Sequence, residues 1–344
     1  MPWDEIAGQE RAVRLIQRAL GRGQLHHAYL LTGLDGVGKE LFARLCAQAA
    51  NCEESNFTLR PCGKCSACTA ILRGNFPDVF WVRPQSELVK RGLVNKGDLE
   101  NAPSREIRVD EVRQLARRLA FSLVRGQRKV AILSPADALN ERAQNALLKT
   151  LEEPPPQTTF FLITSKPDEL LPTVRSRCAR LMLAPLSAEL IEAHLVKRGE
   201  TKEAAKLKAL RADGSLARAF ELTTEEIDRR SELASKLNAA LAAPDERDAL
   251  DLAEALADRD DAAELISVLR ESARSTLVLN GYEARGAAQA PALLREHDLC
   301  DEVSEALEQN GNPRLQLERL LLGARTIRLR AKPAAAASGA THGR

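Results

Sequence analysis

Two spacings of apolar residues alternate along the first half of the chain. Short apolar runs, which are typical of buried strands, occur at Ala28–Thr32, Val79–Val82, Val130–Leu133 and Phe160–Thr164. Between these runs, apolar residues recur at helical spacing over Gln9–Leu20, Lys39–Ala50, Asp110–Leu123 and Asn140–Glu152. The alternation predicts an α/β domain with a mainly parallel sheet.

The strand signals stop after Pro185, and a small helical unit follows. Its first two helices are predicted over Ser187–Arg198, with Ser187 as N-cap, and over Thr201–Arg211. A third helix is predicted directly after Gly214 and Ser215. We therefore expect a compact three-helix unit.

The rest of the chain is predicted to be helical as well. Turn signals interrupt the pattern at Pro244, Gly281 and Gly311–Pro313. The final residues have no periodic apolar face, so we expect disorder there. Four parts are predicted: an α/β domain at 1–184, the three-helix unit at 185–222, an all-α domain at 223–331 and a disordered tail at 332–344.

Composition places the chain among ordinary soluble proteins. It has 344 residues, of which 44% are hydrophobic and 28% charged, and this length favours two or three domains. The net charge of +2 neither requires nor excludes nucleic acid as a partner. The start, "MPWDEIAGQE", lacks the features of a signal peptide, and no apolar run approaches the roughly 18 residues of a membrane span. We expect a cytoplasmic protein that uses its cysteines for metal or redox chemistry rather than for disulfides.

A glycine-rich loop separates the first predicted strand from the next helix. Its sequence, "LLTGLDGVGKE", follows the phosphate-binding P-loop pattern up to the last position, where Ser or Thr normally ligates Mg²⁺ and here Glu40 stands. Glycines let backbone N–H groups face phosphate, and the lysine reaches the outer phosphates. The candidate nucleotide-binding residues are Gly33, Gly36, Gly38 and Lys39. Whether this degenerate loop still binds ATP stays open at this point.

The second half of a nucleotide-hydrolysing site is also altered. An acidic pair that holds Mg²⁺ and orients water should follow the third predicted strand, but Ser134 and Pro135 occupy those positions. The acid further along, Asp137, we interpret as the cap of the next helix. Since two independent positions have lost the metal chemistry, we expect no ATP hydrolysis.

Four cysteines have the spacing of a metal site. Three form C-x₂-C-x₂-C within "PCGKCSAC" and the fourth lies ten residues upstream; they are Cys52, Cys62, Cys65 and Cys68. Four thiolates suit a structural Zn²⁺ ion, so we predict a zinc module over about residues 50–70. An iron–sulfur cluster or free buried thiols are the alternatives.

Arginines cluster on the first predicted helix and after the fourth strand. Arg11, Arg14 and Arg18 share one helix face, with Arg22 beyond, and we interpret this face as solvated surface. The second cluster, "TVRSRCARL", is a compact basic segment at Thr173–Leu181.

Several motifs together resemble a known family. The segments "HHAYLLTGLDGVGK", "CGKCSAC", "NERAQNALLKTLEEPP" and "LLPTVRSRC" are similar to bacterial clamp-loader subunits, the AAA+ proteins of the DNA polymerase III holoenzyme. The resemblance covers roughly residues 1–220. It implies an AAA+ domain at 1–184 and a lid domain at 185–222. It also implies a collar domain at 223–331, which matches the family only in length and helical character.

Within this family, the chain resembles the delta-prime class. The gamma and tau ATPase subunits keep the P-loop hydroxyl and the Asp-Glu pair, whereas delta-prime has lost both. A third departure agrees, since the lid helix carries Ala217 where an active subunit has a nucleotide-sensing arginine; Arg218 lies one step away, about 100° around the helix. The resemblance therefore implies a subunit without ATPase activity of its own.

The resemblance also implies roles for two arginines. Arg177, in the Ser-Arg-Cys triplet, would act in trans as an arginine finger on ATP held by the adjacent gamma or tau subunit. Arg108 would contact DNA phosphate in the central channel. The implied partners are the gamma/tau and delta subunits, and, through the complex, the sliding clamp and primer-template DNA, without a membrane.

Two other functions compete with this interpretation. An active gamma/tau-type ATPase with a divergent site would need Glu40 as a metal ligand and another acid in place of Ser134. A zinc-dependent DNA-binding protein outside the clamp loader would explain the cysteines and the Arg11–Arg22 face, but would leave the P-loop and Arg177 unexplained.

Overall fold

The computed structural model describes residues 2–331, apart from residues 7, 100 and 281–283. The chain divides into two compact units, the first ending at Leu222 and the second beginning at Thr223. The turn predicted at Gly281 and the tail predicted at 332–344 lie outside the described residues. Within the described part, no helix is long and apolar enough to cross a membrane.

A five-stranded parallel sheet forms the centre of the first unit. Its strands are β1 Ala28–Thr32, β2 Val79–Val82, β3 Lys129–Leu133, β4 Thr158–Thr164 and β5 Ala179–Met182. They lie in the order β2-β3-β4-β1-β5, and every neighbouring pair is parallel. The predicted α/β domain with a parallel sheet is therefore confirmed.

The edge strand β5 was not predicted. Only Leu181 of its four residues is buried, while Arg180 and Met182 are exposed. Every residue of the inner strands β3 and β4 is buried, because helices cover both sheet faces. A short edge strand lacks that continuous apolar run, which is the signal used to predict the other four.

Helices cover both faces of the sheet in the first unit. They are α1 Glu10–Gly21, α2 Lys39–Asn51, α3 Ser66–Leu72, α4 Gln85–Lys90, α5 Val109–Ala120, α6 Glu141–Glu152, α7 Pro172–Arg175, α8 Ala188–Lys197, α9 Lys202–Arg211 and α10 Leu216–Glu221. On one face, α1 and α2 bury Ile16 and Phe42. On the other face, α5 and α6 bury Leu115 and Leu147. The P-loop and the strand ends that surround it are thus supported by two separate apolar layers.

Helix α5 ends earlier than predicted. The pattern extends to Leu123, but the helix stops at Ala120. The reason is the buried carboxylate of Asp78, which accepts hydrogen bonds from the backbone N–H groups of Val124, Arg125 and Gly126 at 2.9, 2.8 and 2.6 Å. These bonds hold the segment in an extended course that a continuing helix could not follow.

The second unit is helical throughout its described residues. Its helices are α11 Thr224–Ala242, α12 Arg247–Ala255, α13 Arg259–Asn280, α14 Ala284–Glu308 and α15 Pro313–Ala331. The turns predicted at Pro244 and at Gly311–Pro313 are confirmed, because α11 ends just before the first and α15 begins at Pro313. Leucines such as Leu265 and Leu317 form the core.

Candidate functional site

The P-loop connects β1 to α2 and packs against the three-helix unit. Gly36 and Gly38 have φ values of 74° and 99°, a region that favours glycine. A Cβ on Gly36 would lie 2.3 Å from the Ser215 hydroxyl oxygen, so only glycine fits beneath the start of α10. The backbone N–H of Ala217 donates to the Gly36 carbonyl at 3.3 Å. The position where the family resemblance implies a sensing arginine thus contacts the loop through backbone and methyl groups alone.

The lysine of the loop bonds to the loop itself. Lys39 is only 8% exposed, and its Nζ donates to the carbonyls of Gly33 and Leu34 at 2.8 Å each and to Asp35 Oδ1 at 3.3 Å. Burial lowers the pKa of this ammonium group, and the Asp35 carboxylate partly offsets that effect. The ammonium group is therefore satisfied without a phosphate.

The two residues that replace the metal ligands bond to each other. The Ser134 hydroxyl, at the end of β3, donates to Glu40 Oε1 at 2.6 Å. Arg91, just after α4, donates hydrogen bonds from both Nη atoms to the same carboxylate, at 3.0 and 3.2 Å. Arg83, just after β2, donates to Glu40 Oε2 at 3.2 Å and lies 3.8 Å above the Trp81 ring. We call Glu40, Ser134, Arg83 and Arg91 the Glu40 network.

The Glu40 network occupies the side of the pocket where a P-loop protein holds its metal. A cavity of about 420 Å³ remains, and Lys39, Glu40, Arg91 and Pro135 are among its lining residues. Glu40 and Asp35 supply the carboxylates of this lining, and Asp35 is 88% exposed on the loop. Since Glu40 is bound by two guanidinium groups, its carboxylate is not free to ligate a cation or to orient water.

The interpretation of Asp137 as a helix cap is wrong. Asn140 caps α6, because its side-chain oxygen accepts from the Ala143 N–H at 3.0 Å. Asp137 lies in a preceding 3₁₀ turn and accepts a hydrogen bond from the Thr164 hydroxyl at the end of β4. Asp137 therefore ties β3 to β4 beside the pocket.

The four predicted metal-site cysteines come together in one cluster. The sulfur atoms of Cys52, Cys62, Cys65 and Cys68 all lie within 4.8 Å of one another. Cys52 follows α2, Cys62 precedes α3, Cys65 is the N-cap of α3 and Cys68 lies in its first turn. Backbone N–H groups of Cys62, Cys65 and Cys68 donate to cysteine sulfurs at 3.3, 3.3 and 3.4 Å. Such donors favour thiolates, the form that a metal ion requires.

The cysteine cluster is joined to the core of the first unit by polar contacts. Gln48 on α2 donates to the Cys68 carbonyl at 2.8 Å, and the Trp3 indole donates to the Arg60 carbonyl at 2.7 Å. Ile71 on α3 is buried in the same apolar layer as α1 and α2. The loop is therefore held by the core at both ends.

Arg177 follows α7 and lies at the surface of the first unit. Its Nη2 is 2.5 Å from Glu152 Oε1 at the end of α6, and its Nη1 donates to the Thr173 carbonyl at 2.8 Å. The side chain is 34% exposed. Arg177 thus pairs with a nearby carboxylate in this chain, whereas Asp168 pairs with Arg175.

A basic groove runs between α5 and α6, beyond the exposed side chain of Arg108. Its cavity measures about 860 Å³, and its four basic lining residues are Arg113, Arg117, Arg142 and Lys149. These four residues were not predicted as one surface, because they lie on two helices that are separated in the chain by β3. The basic pairs stand at i, i+4 on α5 and at i, i+7 on α6, spacings that put each pair on one helix face. Considering the two helices as neighbours would have revealed the groove.

Sequence comparisons with known proteins point to the subunits of DNA polymerase III. A family model described as "DNA polymerase III, delta subunit" matches residues 8–187. The tau subunit of DNA polymerase III from Salmonella typhimurium is 33% identical over 78% of this chain and 40% of its own length. The corresponding tau subunit of Escherichia coli is 34% identical over 73% of this chain and 37% of its own length. A delta' subunit from Pseudomonas aeruginosa is 39% identical over 46% of this chain and 44% of its own. The chain thus spans about two fifths of the length of these tau relatives.

Replacing Glu40 by Gln should destabilise the first unit, because Arg83 and Arg91 lose their shared counter-charge. Burial would raise the pKa of Glu40, but the Ser134 hydroxyl and the two arginines outweigh it and hold the pKa below the ordinary 4.5. A carboxyl whose pKa is lower in the folded chain than in the unfolded chain stabilises the fold at pH values above its unfolded pKa. This contribution is lost as the pH falls through the folded pKa and the carboxyl becomes protonated. We expect Glu40→Gln to lower the free energy of unfolding at pH 7 by about 1–3 kcal/mol. The deficit should shrink as the pH falls below 4.5.

Urea unfolding at several pH values measures this difference. Glu87→Gln is the matched control, since Glu87 also pairs with Arg91 but at 3.4 Å and outside the pocket. Equal stability of Glu40→Gln and the wild type at pH 7 would show that the Glu40 network does not hold the pocket.

Proposed function

The chain belongs to the family of DNA polymerase III clamp-loader subunits, and from this premise we propose that it works as a delta-prime-type subunit. In this proposal it does not hydrolyse ATP, and it helps to load the sliding clamp onto primed DNA. It supplies an arginine finger in trans to a neighbouring gamma or tau ATPase subunit. Its partners are those subunits and delta, and, through the complex, the clamp and primer-template DNA.

One observation carries the loss of hydrolysis. Glu40 and Ser134 stand where the metal ligands of an active subunit belong, and they share a 2.6 Å hydrogen bond. A carboxylate already paired with Arg83 and Arg91 offers Mg²⁺ no free oxygen pair. Binding of Mg²⁺ at this position would therefore require breaking several internal bonds first.

The second candidate is an active gamma/tau-type ATPase, which the similarity to tau subunits favours. The P-loop keeps its glycines and Lys39 beside the cavity. That function requires Glu40 to leave two arginines and ligate a cation. It also requires an acid to take over the position of Ser134, where the neighbouring residue is Pro135. The Glu40 network therefore supports the first candidate.

Arg177 has the chemistry and the exposure of a residue that acts in trans. Its planar guanidinium can bind two phosphate oxygens at once, which a lysine cannot do. Its partner Glu152 is 49% exposed, so the ion pair is solvated and is weakly stabilising in the free chain. A phosphate group with a higher negative charge can compete for such an arginine.

The cysteine cluster fits one tetrahedral Zn²⁺ ion. A Zn–S distance of about 2.3 Å gives a sulfur–sulfur distance of about 3.8 Å, and the Cys52 and Cys65 sulfurs are 4.0 Å apart. A multi-iron cluster spreads its cysteines over several iron atoms and needs a wider cage. We therefore assign Cys52, Cys62, Cys65 and Cys68 to a structural zinc site, which would link α2 to α3.

We assign the DNA-facing surface to Arg108 and the basic groove between α5 and α6. Arg108 is exposed at the start of α5, and the groove continues this positive surface along the two helices. Lysines and arginines on such a surface bind phosphates without reading sequence, which suits a protein that acts at any primed site.

The purified chain should release no phosphate from ATP in steady state. The physical reason is that neither Glu40 nor Ser134 is available to hold a catalytic Mg²⁺. Lys39→Ala serves as the control for contaminating ATPases. Turnover that disappears in Lys39→Ala would identify the chain as the active gamma/tau-type enzyme.

Elemental analysis should find about one zinc per chain, since a four-cysteine site holds one ion. Cys65→Ser should lose the metal and lower the melting temperature, because the link between α2 and α3 is opened. Cys46→Ala is the control, since Cys46 is buried in the core and lies outside the cluster. Iron with a visible absorption band would contradict the zinc assignment.

Arg177→Ala should leave the complex assembled and lower its DNA- and clamp-stimulated ATP hydrolysis. Arginine fingers contribute about 10³–10⁵ in rate at one site in GTPases, but here only the site that faces this subunit is affected, so the total loss should be partial. Arg177→Lys should rescue poorly, because a point charge lacks the planar fork.

Arg175→Ala is the matched control, since Arg175 lies two residues away and pairs with Asp168. Glu152→Gln tests the ion pair and should not slow hydrolysis, because it only frees Arg177. ATPase and clamp-loading assays on complexes matched by size-exclusion chromatography give the readout. Wild-type rates with Arg177→Ala would leave this subunit a structural role only.

A further inference from the structure

Helix α1 and its C-cap residue carry four exposed arginines on one face. Arg11, Arg14, Arg18 and Arg22, which we call the arginine stripe, are all exposed. At 100° and 1.5 Å per residue they fall within an arc of about 80° and extend over about 16 Å. Leu15, 48% exposed, lies beside them. The stripe is therefore a narrow line of positive charge along one helix.

The stripe forms no ion pair within the described residues. None of its four guanidinium groups forms an ion pair or a hydrogen bond there, and the one nearby acid of α1, Glu10, accepts from the Gly8 N–H. Some exposed arginines elsewhere do pair, since Arg229 binds Asp261 and Arg314 binds Glu318. Others, such as Arg180, form no ion pair within the described residues either. What distinguishes the stripe is that four such arginines share one helix face.

The arginines of the stripe repel one another along the helix. Arg14 and Arg18 stand at i, i+4, and so do Arg18 and Arg22, an arrangement in which like charges repel. The apolar side of α1 is already buried through Ala12 and Ile16. Arginine is a good helix former, and Arg18 and Arg22 suit the C-terminal end of α1. The cost therefore lies in bringing four like charges together on one face, and such a cost is typical of a binding surface.

The chemistry of the stripe selects a phosphate chain as its ligand. Arginine forks bind phosphate oxygens in pairs. One nucleic-acid strand carries one phosphate charge for about every 3.4 Å of its axis. The length of the stripe, about 16 Å, therefore corresponds to on the order of five nucleotides. A membrane surface fits poorly, because an interfacial helix needs a free apolar face and that of α1 lies in the core.

The stripe is a surface separate from the basic groove. Helix α1 buries Ile16 in the apolar layer on one face of the sheet, whereas α5 and α6 bury Leu115 and Leu147 in the layer on the other face. The sheet lies between the two layers. A short stretch of nucleic acid in the groove cannot reach the stripe as well.

We propose that the arginine stripe of α1 binds the phosphate backbone of nucleic acid, as a second contact surface on the sheet face opposite the basic groove. This inference does not depend on the delta-prime assignment. It requires only the described geometry of the first unit. The chain would then hold nucleic acid at two places, each through phosphates and without sequence preference.

Fluorescence anisotropy with a labelled 20-nucleotide DNA strand tests the proposal on the full chain. The stripe variant replaces Arg11, Arg14, Arg18 and Arg22 by Gln. The groove variant replaces Arg113, Arg117, Arg142 and Lys149 by Gln. The charge-matched control replaces Arg105, Arg247, Arg295 and Arg330 by Gln. All three lose four positive charges, so only the position of the charges differs.

We expect the stripe variant to bind at least tenfold more weakly than the control in 50 mM salt. The slope of log affinity against log salt should fall by about 3, at about 0.7 for each lost contact to a single strand. Arg14→Gln and Arg18→Gln singly should each lower the slope by about 0.7, which keeps the test valid if the fourfold variant folds poorly.

Binding and salt slope equal to those of the control would overturn the proposal. So would equal displacement of the DNA by polyglutamate at matched charge, because the stripe would then attract any polyanion. The groove variant separates the two surfaces. A loss of DNA binding with that variant alone would support the groove and reject the stripe.

Discussion

The Glu40 carboxylate is the constraint on which the pocket depends. It lies in the first turn of α2 and accepts hydrogen bonds from Ser134 after β3, from Arg83 after β2 and from Arg91 after α4. Four segments that are distant in sequence therefore meet at one acid. An ion pair this close to the interior is stable only with close geometry and additional hydrogen bonds. The bonds that hold the pocket together are thus the same ones that occupy its metal position.

The polar groups in and around the P-loop are bonded to one another. The glycines of the loop still adopt left-handed backbone conformations, and α10 still packs on Gly36. Lys39 bonds to carbonyls of its own loop, and Glu40 bonds to arginines. The internal bonds replace what phosphate and Mg²⁺ supply elsewhere.

Sequence patterns predicted the fold well where one residue type or one period decides the outcome. The strands Ala28–Thr32 and Val79–Val82 were predicted with their observed bounds, because buried parallel strands are continuous apolar runs. The four clustered cysteines followed from spacing alone. The partners of Glu40 could not be predicted, since Arg83 and Arg91 lie more than 40 residues away and reach it only through the sheet order. The basic groove was not predicted either, since its residues come from two helices that meet only in the folded chain. Helix α5 was predicted too long because Asp78, whose carboxylate binds the segment after the helix, lies outside the local sequence pattern.

What surrounds an arginine decides what that arginine can do in this chain. Arg83 is nearly buried and bound to Glu40, so its charge is used inside the fold. Arg177 is 34% exposed and shares a solvated ion pair with Glu152, so a stronger anion can draw it away. The stripe arginines of α1 are exposed and lack partners within the described residues, so their charge is open to solvent. The net charge of +2 does not reveal these differences in exposure and pairing, because it counts every arginine equally. An arginine that is buried or paired with a close carboxylate serves the fold. An arginine that is exposed and weakly paired or unpaired can bind a partner.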